Sequence, residues 1–399
     1  MSEWKRYKLG ELLSIKHGWA FKSENYVKDG KTALVTLRNI SEDSRFVFDV
    51  NKTTYYGGEY PEEYNLNEGD LIIPLTEQVV GLLGNSAFVP NFGDIKFVLN
   101  QRVGKVQEKY EKIDKIFLKY LLSTTTVRTQ MEYRASGTKQ RNISPKDIYD
   151  IEVYIPELVI QKYIGRILYN LDKKIQINNQ INQELEAMAK TLYDYWFVQF
   201  DFPDQNGKPY KSSGGKMVYH PELKREIPEG WGVVRLGELQ ITTGKRDANF
   251  GTENGKYDFW TTANSPIKAD EFSFEGKAIL IAGNGNFYVN FTDGKFEAYQ
   301  RTYVIQSEDE KMLIFMYMAC LQSAEKLRKA SNGSIIKYIT IGDVNNISSP
   351  YNHNIVDEFV KIYRPLIDQI SKNKKQNQEL TQLRDWLLPM LMNGQVKVK

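Results

Sequence analysis

The sequence predicts an α+β protein: two mixed α/β regions in tandem, each followed by a long helix, with the two helices pairing as an antiparallel coiled coil. Three observations lead there. The chain repeats itself, a seven-residue apolar stripe occurs twice, and short apolar runs broken by turn residues precede each stripe.

The repeat opens with Trp4-Lys5-Arg6-Tyr7-Lys8-Leu9-Gly10-Glu11-Leu12, which returns as Trp231-Gly232-Val233-Val234-Arg235-Leu236-Gly237-Glu238-Leu239 at an offset of 227. Later landmarks return at shorter offsets. Asn100-Gln101-Arg102-Val103 matches Tyr299-Gln300-Arg301-Thr302 at 199. Ser136-Gly137-Thr138 with Ile143-Ser144 and Asp147-Ile148 matches Asn332-Gly333-Ser334 with Ile339-Thr340 and Asp343-Val344 at 196, and Asn182-Gln183-Glu184-Leu185 matches Asn377-Gln378-Glu379-Leu380 at 195. The second copy is therefore shorter, with most of the missing residues lost between the opening Trp and the Gln-Arg pair.

From Glu157 to Phe200 apolar residues recur with a heptad period, and at ~1.5 Å per residue such a helix spans about 65 Å. Ile164, Leu171, Asn178, Leu185 and Leu192 form one column of that pattern. Phe359, Leu366, Asn373, Leu380 and Leu387 form its counterpart at a constant offset of 195. A shared central asparagine, Asn178 in one helix and Asn373 in the other, is the residue type that fixes coiled-coil register at some cost in stability. Pro365 is expected to kink the second helix near its start, and Pro389 to mark its end.

Ahead of the helices, Thr32–Leu37, Asp70–Leu75, Ala87–Val89, Arg102–Val106, Ala278–Ala282 and Tyr303–Ile305 read as strands, separated by signals such as Asn67-Glu68-Gly69-Asp70 and Asp293-Gly294. Ile113–Met131 and Met312–Ala330 read as matching helices. Residues 201–230, with four prolines and four glycines, have the composition of a linker. The boundaries that follow are 1–156 for the first α/β region, 157–200 for its helix, 201–230 for the linker, 231–352 for the second region, and 353–399 for the second helix and tail.

Composition narrows the chemistry. With 399 residues, 41% hydrophobic and 26% charged, each region can bury a core, and wholesale disorder is excluded. The single cysteine, Cys320, rules out a disulfide framework and a four-thiolate metal site. Met1–Arg6 lacks the apolar core of a signal peptide and no run of about 18 apolar residues occurs, so the expectation is a soluble cytoplasmic protein. Three scattered histidines, His17, His220 and His353, give no metal spacing and no catalytic dyad. No phosphate loop is present, and Gly283-Asn284-Gly285-Asn286 follows a strand without opening a helix, so no metal and no cofactor are expected.

Two unlike α/β regions, two helices with an Asn-Gln-Glu-Leu signature, and Phe200-Asp201-Phe202-Pro203 running to Lys208-Pro209-Tyr210-Lys211-Ser212 together resemble the specificity subunit of a type I restriction-modification system. The segment Glu226-Ile227-Pro228-Glu229-Gly230-Trp231 strengthens the likeness, which covers almost the whole chain. It implies two target recognition domains, each reading half of a split double-stranded DNA site, and helices that hold them apart. It further implies docking of two modification (methyltransferase) subunits, with restriction/translocase subunits in the full complex, and no catalysis in this chain. Because the copies differ in their middles, the target should be asymmetric. A net charge of only +3 suggests that tight DNA binding needs the partners.

Base-edge readers are typically Arg, Lys, Asn and Gln on loops. The candidates are Arg38, Asn39, Thr138, Lys139, Gln140 and Arg141 in the first copy, and Lys245, Arg246, Asn284, Asn286, Ser334 and Lys337 in the second. Asn284 and Asn286 could instead cap a turn. The repeated Gln101-Arg102 and Gln300-Arg301 are expected to satisfy buried backbone, since repeated residues suit scaffold better than specificity. Two other readings remain open: a metal-dependent nuclease using the acidic cluster near Asp309, and a coiled-coil scaffold without DNA readout.

Overall fold

The computed structural model describes residues 4–78, 81–109, 111–330 and 338–396. The chain divides into two compact units, residues 1–177 with 376–399, and residues 178–375. No helix is long and apolar enough to cross a membrane among the described residues.

In the first unit, Lys5–Lys8 pairs antiparallel with Glu152–Ile155. An antiparallel sheet runs in the order Leu13–His17, Val103–Glu108, Leu71–Pro74, Ala87–Phe88, and a mixed five-stranded sheet contains the parallel pair Thr32–Val35 and Lys96–Leu99. The apolar run through Leu71-Ile72-Ile73 follows from cover on both faces. Leu71 and Ile73 join a core with the helices, whereas Ile72 joins the core between the two sheets.

The second unit repeats this plan. Gly232–Arg235 pairs with Ser348–Tyr351, one sheet runs Gln240–Thr243, Thr302–Gln306, Ala278–Ala282, Val289–Thr292, and another holds the parallel pair Tyr257–Trp260 and Lys295–Ala298. Ile279 and Ile281 face the helices, and Ala278 and Leu280 face the other sheet. The shortening lies where the offsets place it. The connection leaving the parallel strand covers residues 36–70 in the first unit and only 261–277 in the second.

Most repeated landmarks are folding devices. In the Leu-Gly-Glu turns, Lys8 N donates to Glu11 Oε1 at 2.8 Å and Arg235 N to Glu238 Oε1 at 3.0 Å. Ser144 with Asp147 and Thr340 with Asp343 are capping boxes, each N3 amide donating to the N-cap hydroxyl at 3.2 Å. Gly18 and Gly244 let two chain segments touch: a Cβ on either would lie 2.0 Å from Asn100 O or 2.2 Å from Tyr299 O.

Three sequence expectations are modified. Ile113–Met131 is two helices, Lys115–Leu122 and Thr125–Arg134, because Asp114 caps the first and Thr124 the second; its counterpart Glu310–Ala330 is unbroken. The second long helix, His353–Met392, runs without interruption through Pro365 and Pro389. Residues 201–230 are built structure: Asp201 accepts from Ser212 N and Oγ at 2.7 and 2.6 Å, and Phe202 stacks on Tyr210 and Trp231. Met217–His220 and Arg225–Pro228 then form a hairpin. Aromatic packing has overridden the Pro/Gly composition.

The first long helix is Leu158–Tyr193, ending in a π turn at Asp194–Val198. Within the second unit, Asn373 Nδ2 donates to Asn182 Oδ1 at 2.9 Å, so Asn373 bonds the asparagine one turn beyond Asn178, and all three are buried. Asn182 is one of the repeated Asn-Gln-Glu-Leu residues. Within the first unit, Asn377 Nδ2 reaches Ile175 O at 3.5 Å.

Candidate nucleic-acid interface

Elements remote in sequence form one continuous block at the end of the parallel strand pair. In the first unit, Asn100–Val103 forms a tight turn closed by Val103 N to Asn100 O at 2.9 Å, and Gln101 N donates to Trp19 O at 3.0 Å. Leu75 N donates to Arg102 O at 2.9 Å, and Leu75 O accepts from Ile143 N at 3.0 Å, which attaches the polar 136–142 loop. The parallel strand ends beside this turn, with Leu99 opposite Val35, and Arg38 lies three residues further on.

The second unit reproduces each link. Thr302 N donates to Tyr299 O at 2.7 Å, Gln300 N to Arg246 O at 2.9 Å, Gly283 N to Arg301 O at 2.8 Å and Ile339 N to Gly283 O at 2.9 Å. Residues 245–246, 283–286 and 338–339 thus surround the second Gln-Arg turn. Sequence landmarks scattered over some 120 residues in the first unit come together because backbone hydrogen bonds tie their ends to one sheet edge.

Within these blocks the candidate residues differ in kind. Loop 136–142 is closed by reciprocal backbone bonds between Ser136 and Asn142 at 2.9 and 2.8 Å, and Gly137 turns at φ +114°. Thr138 and Lys139 are exposed at its tip, and Gln140 Nε2 bonds Asn142 Oδ1 at 3.3 Å. Arg38, Lys245 and Asn286 are also exposed, with Lys245 Nζ 5.6 Å from the Phe274 ring centroid. Asn284 pairs through its backbone with Tyr338. Asn286 Nδ2 donates to the Tyr288 hydroxyl at 3.1 Å rather than capping the turn.

Asn39, Arg141 and Arg246 are engaged inward. Asn39 is buried, accepting from Thr36 N at 2.8 Å and donating to Val47 O at 2.9 Å. Arg141 Nη1 donates to Glu77 Oε1 at 2.9 Å, and the same buried carboxylate takes Gly81 N, Leu82 N and Leu83 N through Oε2 at 3.1 Å each. Arg246 bonds Glu297 at 3.3 Å and Glu271 at 2.6 Å while its guanidinium lies 4.2 Å from the Phe250 centroid. Glu297 is fully buried and also accepts from Ser273 Oγ at 2.7 Å. Ser334 and Lys337 lie outside the described residues.

Glu77 and Glu297 escaped sequence reasoning. The only signal was an acidic residue inside an apolar strand context, Pro74-Leu75-Thr76-Glu77 and Phe296-Glu297-Ala298, which implies a buried partner without naming it. Gln101, Arg102, Gln300 and Arg301 depart from expectation in the other direction. Their backbones build the turns, but all four side chains are exposed.

No cluster of three metal-binding side chains occurs among the described residues. Asp309, central to the nuclease reading, is a helix cap whose Oδ1 accepts from Met312 N at 3.0 Å. Cys320 is buried, and burial pushes its thiol well above the ordinary range, away from the reactive thiolate.

The sequence profile of the type I restriction modification DNA specificity domain matches residues 1–187 and 228–382. The chain is 36% identical over 183 residues to the EcoDI specificity subunit of Escherichia coli, covering 43% of this chain and 40% of that relative. It is 23% identical over 474 aligned positions to the HindI specificity subunit of Haemophilus influenzae, spanning 99% of this chain and all of the relative. The crystal structure of the type I restriction-modification S subunit from M. genitalium superposes with a TM-score of 0.62 at 17% identity, covering 97% of this chain and 96% of that one, a likeness of fold. With the family profile on both copies and the duplicated plan beneath it, the chain belongs to the family of type I restriction-modification DNA specificity subunits.

Proposed function

We propose that this chain is the non-catalytic subunit that selects the DNA sequence for a type I restriction-modification assembly, reading an asymmetric, bipartite double-stranded site in the cytoplasm. One observation carries the reading: each unit builds the same polar block on the same backbone links, but fills it with different side chains. Readers of one design and unlike chemistry suit two unlike half-sites.

Residues 1–156 and 231–352 are the two target recognition domains. Exposed Arg38, Thr138, Lys139, Lys245 and Asn286 and half-buried Gln140 are the contact residues, together with Ser334 and Lys337. Asn39, Arg141 and Arg246 brace the loops, with Asn284 at the rim. The helices Leu158–Tyr193 and His353–Met392 pair as an antiparallel coiled coil that sets the unread spacer, since B-DNA presents the same face every ~10–10.5 bp. The Asn182–Asn373 bond in one unit and the 3.0 Å Asp172–Arg384 pair in the other support that pairing. The chain docks two modification subunits and, in the full complex, restriction/translocase subunits.

Co-expression with the modification subunits followed by genome-wide mapping of methylated bases tests the proposal. One split, asymmetric sequence is expected, and replacing residues 231–352 with those of another family member should change one half of it. Methyl transfer by the isolated chain, or a palindromic target, would sink it.

A further inference from the structure

Most of the repeated landmarks among the described residues do folding work, whereas the side chains of Gln101, Arg102, Gln300 and Arg301 do none that the structure records. All four are exposed and make no hydrogen bond or ion pair with any described residue. They sit on stiff platforms: in each unit the turn is closed internally, tied to the preceding strand end at Trp19 or Arg246, and tied to the neighbouring edge at Leu75 or Gly283. The close approach at Gly18 and Gly244 fixes the platform further.

We propose that Gln101-Arg102 and Gln300-Arg301 are a duplicated grip on the DNA phosphate backbone, one per unit, which positions the duplex without reading bases. The argument rests on the specificity-subunit reading above. Two half-sites of unlike sequence share their sugar-phosphate backbone, so a contact kept alike in two otherwise divergent copies matches the feature that both half-sites have in common. The arginine fork suits phosphate oxygens, and the glutamine amide adds a neutral donor. The turn lies within the same bonded block as Lys139 and Arg38 in one unit and Lys245 in the other, so the grip borders the proposed base readers. In a chain of net charge +3, such local cations are the available source of phosphate affinity.

The test uses the full chain assembled with its modification subunits, titrated with target and scrambled duplexes over a salt series. Arg102→Ala and Arg301→Ala should each weaken both duplexes by a similar factor, about fivefold at 0.1 M salt, and reduce the slope of log affinity against log salt by roughly 0.9. The double variant should lose roughly twice that slope, Arg102→Lys should retain it, and the methylated sequence should not change. Unaltered affinity and slope, a changed methylated sequence, or loss of the modification subunits on gel filtration would each overturn the grip, the last in favour of a protein contact. If the wild-type assembly shows no sequence preference while the arginine variants still lose slope, the grip stands and the specificity reading falls.

Discussion

The same helix junction is built in both units with opposite chemistry. In the first unit, Asp172 on the long helix accepts from Lys119 Nζ at 3.2 Å and Tyr120 Oη at 2.7 Å through Oδ2, and from Arg384 Nη1 at 3.0 Å through Oδ1. Aligning Ile116-Phe117 with Ile314-Phe315 places Tyr317 and Met318 at the positions of Lys119 and Tyr120. The 195-residue spacing places Ile367 at that of Asp172 and Ala189 at that of Arg384. All four replacements line a cavity of about 300 Å³ in the second unit. That cavity borders Ala189, at the position that the long Arg384 side chain holds in the first unit. A shared backbone plan thus tolerates either a charged knot, which demands one geometry, or an apolar contact that leaves space.

The largest expected effect comes from cutting the knot. Asp172→Ala leaves buried Lys119 without its carboxylate and Arg384 with Asp385 alone of its two carboxylate partners, and should cost about 3–5 kcal/mol in denaturant unfolding of the first unit. Converting the three charged members of the knot to the second unit's residues, Lys119→Tyr with Asp172→Ile and Arg384→Ala, should recover most of that loss. If the triple variant is as unstable as the single one, the equivalence between the two junctions fails.

Acid probes the same contrast. Burial alone would raise the Asp172 pKa, but Lys119, Tyr120 and Arg384 outweigh it and hold the carboxyl below its usual range. A depressed folded-state pKa stabilises fully above the unfolded carboxylate value near ~4, and the contribution is lost as pH falls from there through the folded pKa. The stability gap between wild type and triple variant should therefore narrow below about pH 4, and a gap that widens would contradict the assignment.

The buried amide pair gives a smaller effect. Asn373→Leu leaves the Asn182 amide without this partner and should cost about 1–3 kcal/mol, whereas Asn182→Leu with Asn373→Leu should equal or exceed wild-type stability. Calorimetry showing the double variant less stable than the single would place the pair outside an apolar seam. Smallest is filling the cavity: Ala189→Leu should raise stability by about 1 kcal/mol, and a loss would mean that the space cannot accept a branched side chain.

Much of this architecture was legible because it is local or periodic. The repeat, the Ala278–Ala282 and Leu71–Pro74 strands, the capping boxes and the two long helices follow from spacing and residue type. Other features depend on which distant segments meet. That Thr124 interrupts one helix while its counterpart runs on is a local competition between capping and propagation, and the helical period alone does not decide it. The linker composition of residues 201–230 concealed an aromatic stack on Trp231, because Phe202 and Trp231 are far apart in sequence and meet only in the fold.

The sequence alone determined that two like units alternate with two long helices, since hydrophobic period, cap chemistry and repetition are properties of the chain itself. Only the tertiary structure decided that Glu77 and Glu297 hold Arg141 and Arg246 inward, that Asn182 answers Asn373, and that the Gln-Arg side chains are exposed. Burial and partnership are relations through space, and identical residues become brace or contact according to what the fold places within a hydrogen bond of them.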